Sequence, residues 1–435
     1  MRICVVALGK IGLPLAVQFA SKGHQVIGAD VNAQTVDLVN KGVEPFPGEA
    51  HLAEKLADVV SRGLLTATTE TAAAVAQSES VVVVVPLFVD DESRPDFGWM
   101  DAATEAIGRG LQPGTFVSYE TTLPVGTTRT RYAPMLEEGS GLVAGEGFHL
   151  VFSPERVLTG RVFADLRKYP KLVGGINSDS ERRGIEFYES VLDFDERHDL
   201  SRPNGVWPMG AAEAAEMAKL AETTYRDVNI GLANQFAKFA DKNGIDVYAV
   251  VEACNSQPYS HIHQPGIAVG GHCIPVYPRL YLHNDPEATI VAAAREANAS
   301  MPEYAVRRLA DEYGDLTGAK VAVLGASYRG GVKETAFSGV FPVVHALNEA
   351  GALALVHDPI FSDEELSVLG WSPYHLGEEV DAAIIQADHP EYRTLTSDDL
   401  PGVRVLLDGR RTLKEGHGLE LVHIGAGATT PAQVV

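Results

Sequence analysis

The residues with most chemistry to offer lie in Gly270-Gly271-His272-Cys273-Ile274-Pro275, just after the turn Gln264-Pro265-Gly266. A thiol on a Gly/Pro-rich loop is exposed, fixed and approachable, because its glycine neighbours carry no side chains. His272 and the loop amides are placed to raise the thiolate fraction. The alternative is a turn that simply contains a cysteine. Three other groupings set polar chemistry beside turn residues. Glu120-Thr121-Thr122-Leu123-Pro124-Val125-Gly126 closes an apolar run. Phe152-Ser153-Pro154-Glu155-Arg156 puts a carboxylate next to a guanidinium. Lys219, Thr223, Arg226 and Ile230 share one helix face, where a lysine and an arginine suit a diphosphate or a carboxylate. Each grouping also has a plain structural reading: turn chemistry, surface charge, a solvated helix face.

These groups need elements to hold them. Ile3–Ala7 reads as a short buried strand, followed by Gly9 and Gly12, a helix over Leu13–Lys22, and a second strand Gln25–Ala29 ending at Asp30. That is the strand, glycine turn, helix, strand and acid of a dinucleotide-binding unit. The glycines let backbone approach the pyrophosphate, and the helix N-terminus offers free amides. Asp30 is positioned for ribose hydroxyls and repels a 2′-phosphate, which favours NAD over NADP. Ala7 stands where the first glycine of the usual triple is expected. Ser80–Val85 and Thr115–Tyr119 read as further strands, the valine run being buried on both faces of a parallel sheet.

The 435 residues exceed what one core supports, so two or three domains are expected. A net charge of -23 disfavours nucleic acid or an anionic membrane as partner. Three cysteines give neither a disulfide framework nor metal-ligand spacing, and imply a reducing compartment. No signal-peptide layout and no bilayer-length apolar run is present, so a cytoplasmic protein is expected. From Ala211 to Asn243 there is no proline, and Gly244 makes a natural stop, predicting a helix of about 50 Å. Lys320–Gly325, Leu353–Val356, Ala382–Gln386 and Val403–Leu407 repeat the strand pattern. The expected fold is α/β, with two Rossmann-like doubly wound domains (1–200 and 316–435) joined by a central long-helix domain (205–305).

In this order the motifs resemble those of the UDP-glucose/GDP-mannose dehydrogenase superfamily over essentially the whole chain. Ala7-Leu8-Gly9-Lys10-Ile11-Gly12-Leu13-Pro14 resembles its glycine turn, Thr121 to Gly126 its hydroxyl turn, Ser153-Pro154-Glu155-Arg156 its acid motif, Ala212 to Leu220 its helix and Gly270 to Pro275 its cysteine loop. The resemblance implies an NAD-dependent, four-electron oxidation of a sugar C6 alcohol to the carboxylate through a thiohemiacetal and a thioester. It implies Cys273 as nucleophile, Lys219 as the group stabilising alkoxide and oxyanion charge, and Glu155 and Thr122 as residues that position water and relay protons. It assigns Gly9, Lys10, Ile11, Gly12, Asp30, Thr122 and Arg329 to the cofactor. It assigns Arg156, Val157, Lys219, Thr223, Arg226, Gly270 and Tyr328 to the nucleotide sugar. It also implies a homodimer formed through the central helix, and no metal.

Within the superfamily, Glu120-Thr121-Thr122, Arg226-Asp227-Val228-Asn229-Ile230 and His263-Gln264-Pro265-Gly266 look more like UDP-N-acetylhexosamine 6-dehydrogenases, for the mannosamine or glucosamine sugar. UDP-glucose or another NDP-sugar is the nearest alternative, and a non-turnover sugar-binding homologue is the alternative of another class. The sequence departs from the family pattern at Tyr277 (aspartate), Thr223 (asparagine), Ala336 (arginine), Gln257 and Tyr259 (histidine and arginine) and Leu87 (threonine). These departures bear on thioester hydrolysis and on sugar identity.

Overall fold

The computed structural model describes residues 1–90, 92–414 and 418–427. The chain forms two compact units, Met1–Glu222 and Thr223–Val435, and the division falls inside one continuous helix, Ala212–Asn243.

In the first unit, strands β1 (Arg2–Val6), β2 (Gln25–Ala29), β3 (Leu65–Thr68) and β4 (Ser80–Val83) precede a small antiparallel hairpin of β5 (Phe88–Val89) and β6 (Pro95–Asp96). Then come β7 (Phe116–Tyr119), β8 (His149–Phe152), β9 (Lys171–Gly175) and β10 (Val206–Pro208). The hairpin aside, they make one sheet in the order β10-β9-β8-β7-β4-β1-β2-β3. Every pair in it is parallel except β8 with β9. The order reverses between β1 and β4, the doubly wound switch point outside which ligands bind. Strand β4 is buried throughout, as its valine run predicts, though Val84 and Val85 lie past its end. Ile3, Val5, Phe19, Val26, Val82, Phe116 and Phe187 pack the core beneath it.

The turn after β1 shows why Ala7 is tolerated. Its backbone takes φ +75°, the left-handed conformation that glycine adopts freely and alanine adopts at a cost. The turn therefore keeps the glycine geometry without the glycine. Gly12, the first residue of the helix Gly12–Ser21, has no such freedom: a Cβ there would lie 1.9 Å from the Ala7 carbonyl oxygen and 2.7 Å from Val84 Cγ2.

The second unit carries a six-stranded, all-parallel sheet. Its strands are β11 (Lys320–Leu324), β12 (Leu353–His357), β13 (Ser372–Pro373), β14 (Ala382–Ile385), β15 (Val405–Asp408) and β16 (Leu421–His423), in the order β13-β12-β11-β14-β15-β16. Ahead of it lie the rest of the long helix and the helices Val247–Asn255, Tyr277–Asn284, Thr289–Ala299 and Met301–Tyr313. One core joins these helices to the sheet, through Ala237, Val251, Leu309, Val323 and Ile384 among others.

Buried polar side chains lock the helices together. Asp227 is fully buried and accepts from Arg295 (2.8 Å) and Asn298 (2.7 Å). Asn298 accepts in turn from Asn234, 2.8 Å away. Asn229 brackets the chain further on, donating to the His261 carbonyl (2.6 Å) and accepting from the His263 amide (2.9 Å). The motif Arg226-Asp227-Val228-Asn229-Ile230 thus faces buried partners as well as a charged surface.

Arg295→Leu leaves the Asp227 carboxylate buried without its cation, and equilibrium urea unfolding is expected to show a loss of about 3–5 kcal/mol. Ala7→Gly is expected to gain roughly 1 kcal/mol by relieving the left-handed alanine. Gly12→Ala, which overpacks the same turn, should lose at least about 1–3 kcal/mol. Thermal melts of the two turn variants, moving in opposite directions from the wild type, check this pair.

Candidate active site

The turn between β1 and its helix is open where a dinucleotide would lie. No atom comes within 4 Å of where a Gly9 Cβ would be, and Lys10 is exposed beside it. Asp30 closes β2 and ties the turn down, accepting from the Leu8 amide (2.7 Å) and the Asn32 amide (2.8 Å) while staying partly exposed. Its carboxylate keeps lone pairs for ribose hydroxyls, so this cradle fits NAD. Ile11 is half-buried at the helix start.

Glu155 lies in the loop after β8, held on both oxygens. Oε1 accepts from the Arg156 amide (2.7 Å) and the Val157 amide (3.2 Å), and Oε2 accepts from Lys171 Nζ at 2.9 Å. Burial works against its ionisation, but the Lys171 charge and these donors outweigh it and hold its pKa below the usual carboxylate range. The Glu155 amide donates to the Glu120 carbonyl (3.2 Å), which sets this loop against the Glu120-Thr121-Thr122 turn. Arg156 pairs with Glu222 at 2.9 Å and donates to the Pro170 carbonyl. Val157 is half-buried.

Thr122 is buried, and its neighbour Thr121 donates to the Val85 carbonyl at 2.6 Å. The far end of this turn is anchored by Glu216, which accepts from the Gly126 amide and from the amide and hydroxyl of Thr128 (2.9 and 2.7 Å). Burial pushes Glu216 up to about 7 despite these donors. Lys219 follows one turn later and is also buried, as is Thr223; Arg226 is half-buried.

In the second unit the cysteine loop is held from several sides. The Gly266 amide donates to Asn234 (2.9 Å), the Ile267 amide to the Gly409 carbonyl (3.0 Å) and the Gly271 amide to the Ala336 carbonyl (2.9 Å). Arg295 reaches the Ile274 carbonyl at 3.3 Å. Tyr328 packs on the paired glycines: a Cβ at Gly270 would lie 2.7 Å from Tyr328 Cβ, and one at Gly271, where φ is +90°, 3.0 Å from its ring. Cys273 is partly exposed, and its carbonyl accepts the Tyr277 amide (2.9 Å) that opens the helix Tyr277–Asn284. His272 turns towards Glu334, 3.4 Å away. Arg329 lies over the Tyr328 ring and donates to its hydroxyl (3.1 Å).

The first unit therefore gathers Glu155, Arg156 and Val157 beside the Thr122 turn, with the glycine turn and Asp30 at the same sheet. The second gathers Gly270, Cys273, Tyr328 and Arg329. Sequence reasoning missed Lys171, the partner of Glu155, and Glu216, the anchor of the hydroxyl turn. A lysine after Tyr169-Pro170 gave no sign of burial. Glu216 did carry one, since it lies one turn before Lys219 on the same helix face.

Three family models match the chain. They are the NAD binding domain (residues 1–192), the central domain (213–300) and the UDP binding domain (322–415) of the UDP-glucose/GDP-mannose dehydrogenase family. The UDP-N-acetyl-D-mannosamine dehydrogenase of Pyrococcus horikoshii is 33% identical over 424 residues, spanning 95% of this chain and 96% of that one. The NDP-N-acetyl-D-galactosaminuronic acid dehydrogenase of Ralstonia solanacearum is 31% identical, with 94% and 95% covered. Among solved structures, the UDP-D-ManNAc dehydrogenase from Pyrococcus horikoshii matches with a TM-score of 0.87 at 30% identity, covering 98% and 99% of the two chains. The chain thus belongs to the UDP-glucose/GDP-mannose dehydrogenase family, as an oxidoreductase with an NAD-binding domain.

Proposed function

We propose that the protein oxidises C6 of a UDP-N-acetylhexosamine, UDP-N-acetylmannosamine or UDP-N-acetylglucosamine, to the carboxylate. The observation that carries this reading is the cysteine loop. A partly exposed thiol sits on backbone fixed by Asn234, Gly409, Ala336 and Tyr328, as a covalent nucleophile requires. The relatives named for UDP-N-acetyl-D-mannosamine support the sugar class.

The cofactor would lie against Gly9, Lys10, Ile11, Gly12 and Asp30, and two NAD molecules bound in succession would each accept one hydride. Val31, 93% exposed beside Asp30, offers an apolar surface to the adenine. In this mechanism Lys219 offsets the alkoxide charge at the sugar oxygen. The Cys273 thiolate adds to the aldehyde carbon, and the carbonyl oxygen takes up the displaced pair. Once the adduct has become a thioester, Glu155 takes a proton from the attacking water, with Thr122 positioning that water. The C–S bond then breaks with its electron pair on Sγ, and the acid leaves as the carboxylate. Arg156, Val157, Thr223, Arg226, Gly270, Tyr328 and Arg329 are the groups proposed to orient the two ligands. Free Cys4, Cys254 and Cys273 support a reducing, cytoplasmic setting for a thiol enzyme. Among the described residues no helix is long and apolar enough to cross a membrane.

The homodimer belongs to this proposal. Tyr225, Leu232, Phe236 and Phe239 are 55, 46, 39 and 61% exposed and recur on one face of the long helix, the face turned from Asp227 and Asn234. An apolar stripe of this kind suits a second copy of the same helix. Leu232→Glu with Phe236→Glu is expected to halve the mass seen in sedimentation; an unchanged mass overturns this interface.

The activity is tested by NADH released per sugar at completion, with UDP-N-acetylmannosamine, UDP-N-acetylglucosamine, UDP-N-acetylgalactosamine and UDP-glucose. Two equivalents from one of the N-acetylhexosamines are expected, and Cys273→Ala should bind both ligands yet release no acid. One equivalent would mean a two-electron enzyme stopping at the aldehyde. No NADH from any of the four would overturn the proposal.

A further inference from the structure

Behind Glu155 lies a closed polar cluster that the steps above leave unused. Lys171, at the start of β9, bonds Glu155 at 2.9 Å and Glu120 at 2.6 Å. Tyr188, from the helix Ser178–Val191, donates to the other oxygen of Glu120 (2.7 Å), and its hydroxyl meets Ser118 Oγ on β7 at 2.7 Å. Ser118, Glu120, Lys171 and Tyr188 are each 5% exposed or less, whereas the Glu155 side chain is 11% exposed. Glu155 is thus the one member of the row that reaches outward. A cavity of about 10 Å³, room for a single water, is lined by Pro154, Glu155, Arg156, Asp165, Tyr169 and Lys171 among others.

One ammonium faces two carboxylates here, so the cluster has charge to neutralise only one of them. The groups facing Glu120 are Lys171 from β9, Glu155 from the loop after β8, and Tyr188 with Ser118 behind it. Burial is the largest influence on Glu120; Glu155 reinforces it and Lys171 opposes it, and the outcome is a carboxyl pushed up to about 7. A proton on Glu120 has somewhere to point, because the Tyr188 and Ser118 hydroxyls can reverse their direction of donation. Arg156 pairs with Glu222 and donates to the Pro170 carbonyl.

We propose that Lys171 and Glu120 are positioning residues for thioester hydrolysis, fixing the Glu155 carboxylate and carrying off the proton it takes from water. This rests on the role given to Glu155 under the proposed function. Water oxygen bonds to the thioester carbonyl carbon as Glu155 takes one water proton. Lys171 Nζ gives one of its protons to Glu120 and, with the lone pair so freed, takes the proton held by Glu155, so its charge is unchanged at the end. The C–S bond breaks with its pair on Cys273 Sγ, the product leaves as the carboxylate, and its second proton goes to solvent. No electrons are exchanged with any other group.

Lys171→Met would leave two buried carboxylates without a cation and threatens folding, so the informative variants are Glu120→Gln and Lys171→Arg. In single turnovers with UDP-N-acetylmannosamine and NAD, wild-type acid release should rise with pH through about 7, as Glu120 loses its proton and can accept another. Glu120→Gln should lose that inflection and release acid about 10-fold or more slowly. The rate of the first NADH and both KM values should stay within about threefold. Lys171→Arg, which keeps the charge but cannot pass a proton on, should retain KM and share the slow release. NMR titration of the carboxyl carbons in unliganded enzyme should show Glu120 titrating near neutrality alongside Glu216, and Glu120→Gln should remove the first signal and leave the second. Wild-type turnover with unaffected variants overturns this inference alone. A wild-type enzyme that makes no NADH overturns the functional reading together with it.

Discussion

The structure depends on the rule that a buried polar group must find a partner, applied along one helix. Ala212–Asn243 presents Glu216, Asp227, Asn229, Asn234 and Asp241 to groups that would otherwise be orphaned. Glu216 holds the hydroxyl turn at Gly126 and Thr128. Asp227 ties to Arg295 and Asn298, Asn229 to the chain at 261–263, and Asn234 to Gly266. Asp241 accepts from the Gly425 and Gly427 amides and from Tyr304. Within the second unit, Asp227, Asn229, Asn234 and Asp241 thus tie loops from distant parts of the sequence to one helix. The cysteine loop gains most, since Asn234 meets its first residues and Arg295 reaches Ile274 from the helix partnered with Asp227.

Much of this was legible in the sequence, and the gaps have physical causes. Strand, glycine turn, helix, strand and Asp30 gave the first sheet, because local periodicity and turn chemistry carry that signal. The long helix showed in its composition and lost only Ala211 at its start. Its face was harder. Lys219 and Arg226 drew attention as cations, while Asp227 and Asn234 on the buried side carry the packing. Lys171 was illegible for another reason: its partners Glu120 and Glu155 lie 51 and 16 residues away and meet it only once β9 runs antiparallel beside β8. No local pattern encodes that pairing.

The two sheets also differ in a way their strand patterns hide. Each has an acid at the end of the second strand, Asp30 after β2 and Asp358 after β12. Asp30 takes one bond from the glycine turn and stays partly exposed. Asp358 is 4% exposed and accepts from the Ala326 and Ser327 amides, the Ser327 hydroxyl and His389. A Cβ at Gly325 would lie 2.5 Å from that of Ala387, so this turn is filled by protein. The same topology leaves the acid partly exposed in one half and consumes it in the other, which is why topology alone does not assign a ligand.

The departures from the family pattern acquire a physical meaning in the cysteine loop. Ala336 lacks a side-chain cation, yet its carbonyl still receives the Gly271 amide. Tyr277 lacks a carboxylate, yet its amide still closes on the Cys273 carbonyl. These backbone bonds, with the close approach of Tyr328 to two glycines, hold the loop whatever the side chains at 277 and 336. Shape is therefore preserved where charge is lost. In a chain of net charge -23, the overall field repels an anionic ligand. Attraction must then come from oriented amides and a few sheltered cations. Lys219, 5% exposed, is a sheltered cation; Lys171 is another, but its charge is spent on holding carboxylates in place. Ala336 therefore brings no charge to the cysteine loop, which is kept in position by backbone bonds, by the Asn234 and Arg295 side chains and by the packing of Tyr328.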